Sequence, residues 1–341
     1  MKLLYVSALV AVLATAVTAV AQTDTDGDGL LDVLDVGGFD PDARDSAILN
    51  DKGIEDLDGV SQLTKASRID LNGNKLTAID DGEFDGLSSL QELRLNGNQI
   101  MNIERGDFDG LTNLQHLGLA LNQITSIETG SFAGLSNLET LDLVGNKFPV
   151  VERGMLQGLD NLKTLNLGIA IAPPSQIASI ENGAFEGLAN LEALFIGRSQ
   201  LTRIDNGDLA GLSNLKYLEL EHNRITSIES GAFKGLAELE VLQLLSNRLT
   251  NIQAGAFDGL PSLQSLSLNS NTIAQLEPRS FEDLSSLRSL WVSRNEIATL
   301  ASGTFEGLSG LESLGLGQNV IKSIEDGAFR GLESLEKLGE A

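Results

Sequence analysis

The sequence predicts an α/β repeat solenoid: a curved stack of coils with a parallel β-sheet on its concave side and loops or short helices on its convex side. Three observations predict it. From Leu90 onward, apolar residues return in fixed register every 24 residues. An asparagine follows each apolar cluster at constant spacing. The chain of 341 residues is 42% hydrophobic but only 4% aromatic and has no cysteine, so its core is aliphatic and is closed without disulfides.

The repeating unit reads L-x-x-L-x-L-x-x-N-x-I-x-x-I-x-x-x-x-F-x-x-L-x-x. One clean copy is Leu215, Leu218, Leu220, Asn223, Ile225, Ile228, Phe233 and Leu236. Units open at Ala66, Leu90, Leu114, Leu138, Leu162, Leu191, Leu215, Leu239, Leu263, Leu287 and Leu311, and a partial twelfth opens at Leu335, so residues 66–341 form one array. In the x-L-x-L-x stretch, side chains alternate across a strand, so the leucines face inward and their neighbours face solvent. One unit cannot bury its own leucines; stacking does. The asparagines from Asn74 to Asn319 are expected to be buried and to bond backbone groups, as an inward polar group requires. A phenylalanine column from Phe84 to Phe329 is expected to form the convex half of the core. The pattern closely resembles the 24-residue typical class of the leucine-rich-repeat family. That resemblance implies a horseshoe whose concave sheet carries the binding surface.

Residues 46–65 differ. Ile54, Leu57, Val60 and Leu63 recur every three residues, and the segment resembles the entry half-unit of internalin-like repeats. It is expected to cover the first coil. The unit opening at Leu162 is 29 residues long, with a five-residue insertion around Gly168 to Pro174. Pro173 and Pro174 cannot donate ladder hydrogen bonds, which predicts a bulging loop. Ser175 and Ser199 replace the ladder asparagine there, and Leu156 and Leu209 replace phenylalanine in flanking units. No cap is visible at the C-terminus, so the expectation is either a truncated chain or an open last coil used in association.

At the N-terminus, Lys2, the apolar run Leu3 to Val20 and the A-x-A site Ala19-Val20-Ala21 predict a secretory signal over residues 1–21, cleaved before Gln22. No other stretch is long and apolar enough to span a bilayer. Residues 22–45 are acidic. Within them, Asp24, Asp26, Asp28, Asp32 and Asp35 fall at positions 1, 3, 5, 9 and 12 of a D-x-D-x-D-G-x-x-D-x-x-D loop, and Gly29 supplies the sharp turn. The segment looks like one thrombospondin type-3 or dockerin-like calcium loop. That likeness implies a single Ca2+ held by those carboxylates and the Leu30 carbonyl, since calcium takes six to eight oxygen ligands.

The formal charge is −25, and loss of Lys2 with the signal takes it to −26. This argues against nucleic acid or anionic lipid as a partner. Catalysis is not expected, because no nucleophile-elbow, zincin or phosphate-loop motif occurs. The two histidines, His116 and His222, are four coils apart, about 19 Å at about 4.8 Å per coil, too far to share a metal. Most outward positions of the predicted sheet are small or polar. The exceptions are Phe195, Tyr217, Glu219, Glu221, His222, Arg224 and Trp291. Aromatics and arginine are enriched in binding hot spots, so these seven residues are the candidate site for an extracellular protein or glycan. The alternative is a cell-surface matrix or adhesion protein without one specific ligand.

Overall fold

A computed structural model describes residues 32–35, 45–169 and 172–339. The expected signal segment and four members of the calcium loop, Asp24, Asp26, Asp28 and Leu30, lie outside the described residues.

Thirteen short strands form one parallel sheet in chain order. The first strand is Ser46–Ile48, from the entry unit; each later unit adds one, from Arg68–Asp70 to Lys337–Gly339. Identical repeat positions pair in register: Leu194 lies beside Leu218, Leu218 beside Leu242, and Leu242 beside Leu266. These leucines are fully buried. The alternation read from the sequence is thus what lines the core.

The asparagine ladder ties coil to coil. The Asn247 amide donates to the carbonyls of Leu244, in its own coil, and Leu220, one coil back, at 3.1 and 2.9 Å. Its carbonyl accepts the Ile225 N–H at 3.1 Å. The same three bonds recur at Asn98, Asn122, Asn146, Asn271 and Asn295. Behind the ladder the phenylalanines stack in pairs, with ring centroids 5.8–6.3 Å apart and near-parallel planes.

Of the loops or short helices expected on the convex side, loops prevail. The convex side consists of turns and five two-stranded parallel pairs, such as Asn102–Ile103 with Ser126–Ile127. The one helical turn among the described residues is the 3-10 segment Val60–Gln62, in the entry unit. Glycines explain this. Gly231 and Gly235 adopt φ of 80° and 96° on either side of Phe233, and that left-handed backbone interrupts a helix. Much of the acidic charge also has a structural task here. Glu128, Glu181, Glu229, Glu277 and Glu325 each accept a backbone N–H from the preceding coil.

The acidic segment is less separate from the repeats than its composition suggests. Val33 is wholly buried in the same core as the leucines, and its N–H donates to the Asp58 carbonyl. Leu34 lies over Gly59, where a Cβ would collide with it. At the opposite end, Val320, Ile324, Phe329 and Leu338 are exposed on the last coils.

Candidate partner-binding face

The concave sheet is built from outward slots between buried leucines, so packing does not dictate what occupies them. In its middle, Phe195 and Tyr217 sit diagonally on neighbouring strands, Ala193–Ile196 and Tyr217–Glu219. Their rings lie 5.2 Å apart at 36°. Both are half-buried, and half-buried Val241 and Leu245 continue the apolar strip into the next coil. The Tyr217 hydroxyl is pushed up to about 12 by burial first, then by the Glu219 and Glu221 carboxylates. It therefore stays a neutral hydrogen-bonding group at physiological pH.

The expected site residues differ in burial and grouping. Glu219 is only 8% exposed and is engaged by its neighbours. Its slot lies between those of Phe195 and Gln243 on the neighbouring strands, and little of its side chain is open to solvent. Glu221 is half-buried, and burial raises its carboxyl above the ordinary range. Trp291 is on the same face but does not join the ring pair. It leans the other way, over Gly315, where a Cβ would meet its ring at 2.5 Å. The face thus carries two separate aromatic anchors.

His222 and Arg224 are both exposed, beyond the strand ends and beside the sheet. With Pro174, Arg198, Gln200, Ser246 and Arg248 they line a shallow cleft along that rim. Ile169 and Ala172 pack on Ala120 and Val144, two outward residues of the third and fourth units, in a small apolar cluster of their own. The Arg198 guanidinium donates to the Ala172 carbonyl at 2.9 Å and holds the insertion in place. Reading the sheet register alone missed Arg198 and Arg248. The signal for Arg248 was its place 24 residues after Arg224, the same repeat position; Arg198 sits instead at the position of His222.

At the N-terminal end, the Asp32, Asp56 and Asp58 carboxylates lie within 4.8 Å of one another. Asp32 is buried; its Oδ1 accepts the Leu34 and Asp35 N–H groups at 2.6 and 3.0 Å. Asp35 belongs to the same turn. Asp56 and Asp58 come from the entry unit, which the sequence reading had not connected to the calcium-like loop.

Comparison with known proteins supports the repeat assignment. The family model described as leucine rich repeat matches residues 64–124, 112–168, 175–225, 213–273, 238–297 and 285–339. A comparison with curated protein sequences finds no match. Among solved structures, TLR13 in its ssRNA13 complex is similar at 32% identity and a TM-score of 0.78 over 84% of this chain and 41% of that one. A leucine-rich-repeat protein of Leptospira interrogans is similar at 26% identity and a TM-score of 0.63 over 89% of this chain and 79% of that one. An internalin from Listeria monocytogenes shares the fold at 21% identity, with a TM-score of 0.58 and 86% of each chain covered. The chain spans about two-fifths of the length of TLR13 and of the Drosophila Toll structures it resembles. No helix among the described residues is long and apolar enough to cross a membrane. With the repeat model matched over most of its length and the ladder and sheet in place, the chain belongs to the leucine-rich-repeat family.

Proposed function

We propose that this chain is a secreted or cell-surface recognition module that binds a protein partner through the middle of its concave face. The observation that carries this reading is the Phe195–Tyr217 ring pair, held on the solvent side of a sheet whose core does not need it. Exposed aromatics add little to folding and much to an interface once desolvated. Similar folds appear in complexes of TLR13 with RNA, Toll with Spatzle, and a plant receptor kinase with Casparian strip integrity factor 2. A formal charge of −25 favours a protein over a nucleic acid as partner for this chain. Catalysis has no support in the fold or in the site.

The test is capture of a partner from the native extracellular milieu by the chain and by a triple variant, Phe195→Ser, Tyr217→Ser and Trp291→Ser. The variant folds, since none of the three side chains is in the core. Capture falls at least tenfold, which requires only about 1.4 kcal/mol. Unchanged capture by a folded variant removes the concave-face reading. Self-association with no saturable partner would favour the matrix alternative.

Calcium is a second part of the proposal, favoured by the meeting of Asp32 with Asp56 and Asp58. Oxygen-only ligands from three carboxylates suit this hard cation. In this reading the ion joins the acidic loop to the entry unit and so secures the first coil.

A further inference from the structure

We infer that the rim formed by Arg198, His222, Arg224 and Arg248 is an oxyanion-binding subsite that takes the carboxylates of an acidic peptide segment. The inference rests on the concave-face reading and gives the chemistry of one end of its ligand.

Four observations carry it. The first is convergence: these side chains, from three successive coils, line one cleft with Pro174 of the insertion. Arg224 and Arg248 hold the same repeat position one coil apart, about 4.8 Å along the stack.

The second is that two arginines of the rim are unsatisfied. Arg224 and Arg248 form no ion pair or side-chain hydrogen bond among the described residues, although the chain carries 48 acidic residues. Several arginines elsewhere on this surface do find carboxylates, Arg153 with Glu186, Arg203 with Asp205 and Arg105 with Glu128, whereas Arg294 and Arg330 share the unpaired state of Arg224 and Arg248 among the described residues. The carboxylate adjacent in sequence, Glu221, is half-buried, and its raised carboxyl is less inclined to carry charge. A cation cluster left unpaired on so acidic a molecule can be neutralised from outside.

The third is backbone strain. The residue before the ladder position turns left-handed in every complete coil described. In the first units that residue is mostly glycine: Gly73, Gly97 and Gly145. At the cleft it is Arg198, with φ 45°, and His222, with φ 55°. A non-glycine residue there is strained. The repeat tolerates side chains here along the stack, since Leu121, Ser246, Ser270, Arg294 and Gln318 hold the same backbone, and at the cleft the side chains presented are Arg198 and His222.

The fourth is continuity. The rim borders the half-buried strip of Tyr217, Val241 and Leu245, so a ligand can place apolar groups on the sheet and anionic groups on the guanidiniums. Guanidinium forks bind carboxylates in bidentate fashion. The cationic run is only about two coil spacings long, about 10 Å, which suits two or three carboxylates of a peptide better than the long phosphate track of a nucleic acid.

The test uses fluorescence anisotropy with the full chain and a labelled ten-residue peptide alternating Asp and Leu. The control is the same peptide with every Asp replaced by Asn. The Asp peptide should bind saturably and at least tenfold more tightly than the Asn peptide. The double variant Arg224→Ser/Arg248→Ser should erase that difference and keep its circular dichroism and melting temperature, because neither side chain has a partner to lose. The double variant Phe195→Ser/Tyr217→Ser should weaken both peptides and keep the preference for Asp, so failure of the rim and failure of the concave face read out separately. Equal binding of the two peptides, or a preference that survives loss of both arginines, overturns the assignment. Tighter binding of a mixed-sequence single-stranded RNA or a sulfated oligosaccharide through the same arginines also overturns it, in favour of that ligand class.

Discussion

At the scale of single residues, the ladder asparagine does the most for its size. Each completes three bonds to buried backbone groups, two of them in the preceding coil, and its removal leaves those groups without partners. Asn247→Ala should destabilise by about 1–3 kcal/mol in urea unfolding. Ser227→Ala, on an exposed convex pair, should change stability by less than about 0.5 kcal/mol. Equal effects would mean that the ladder is not what joins the coils. Ser267, which the sheet register alone would suggest as a neutral control, is unsuitable: it is 7% exposed, flanked in its column by Gln243 and Trp291. Besides Asp208 and Glu221, three further carboxyls are raised. Burial raises Asp107 and Asp142 to about 6, and burial with Asp58, Asp80 and Asp56 nearby raises Glu83 to about 7. Each holds its proton to a higher pH in the folded than in the unfolded chain, so the folded state binds more protons between the two values. Stability should therefore rise as pH falls from about 7 towards 4.5, and be lost again as pH climbs through the folded values. Asp142→Asn, which keeps an oxygen for the Val144 N–H, should raise the melting temperature at pH 7.5 and flatten this profile. Calorimetry from pH 5 to 7.5 checks both; a melting temperature that rises with pH would contradict the shifts.

Among structural elements, the coil was legible in the sequence and its attachments were not. A periodic pattern fixes which leucines, asparagines and phenylalanines face inward, because one strand's alternation decides the matter locally. Burial of Glu219 depends on what the adjacent strands place beside it, and no local rule contains that. The same holds for a second, exposed ladder: Asn113, Asn137, Asn161 and Asn190 each donate to a carbonyl of the preceding coil at 2.8–2.9 Å. The docking of Val33 into the entry unit escaped notice for a related reason: the few apolar residues of the acidic run, Leu30 to Val36, do not share the repeat register. That docking changes what calcium should do. An ion confined to an independent loop would leave the solenoid unaffected, whereas one shared by Asp32, Asp56 and Asp58 would raise the melting temperature of the repeats. Calorimetry with calcium and with chelator should show the rise, and Asp56→Asn/Asp58→Asn should abolish it. A melting temperature indifferent to calcium would remove the ion from the proposal.

For the whole molecule, stability is close to a sum of coil terms and junction terms, since each coil touches only its neighbours. The junctions are not equal. Between Asn146 and Asn223 the ladder positions are Ser175 and Ser199, whose short hydroxyls cannot span to the preceding coil as a carboxamide does. The Ser199 hydroxyl bonds only within its own turn, to the Gly197 carbonyl. In the same zone Leu156 and Leu209 interrupt the phenylalanine column, and the strand register shifts between Phe195 and Ile196. The backbone pairing of Thr164–Gly168 with Ala193–Ile196 persists there, so the stack is continuous in its main chain and weakest in its side chains. A rod made this way has a seam. In rising denaturant it should come apart as two cooperative blocks, with amides near Ser175 and Ser199 exchanging with solvent ahead of those beside Asn122 or Asn271. The insertion and the arginine rim straddle that seam, so a ligand gripping both sides would act as a splint, binding the two blocks into one unfolding unit.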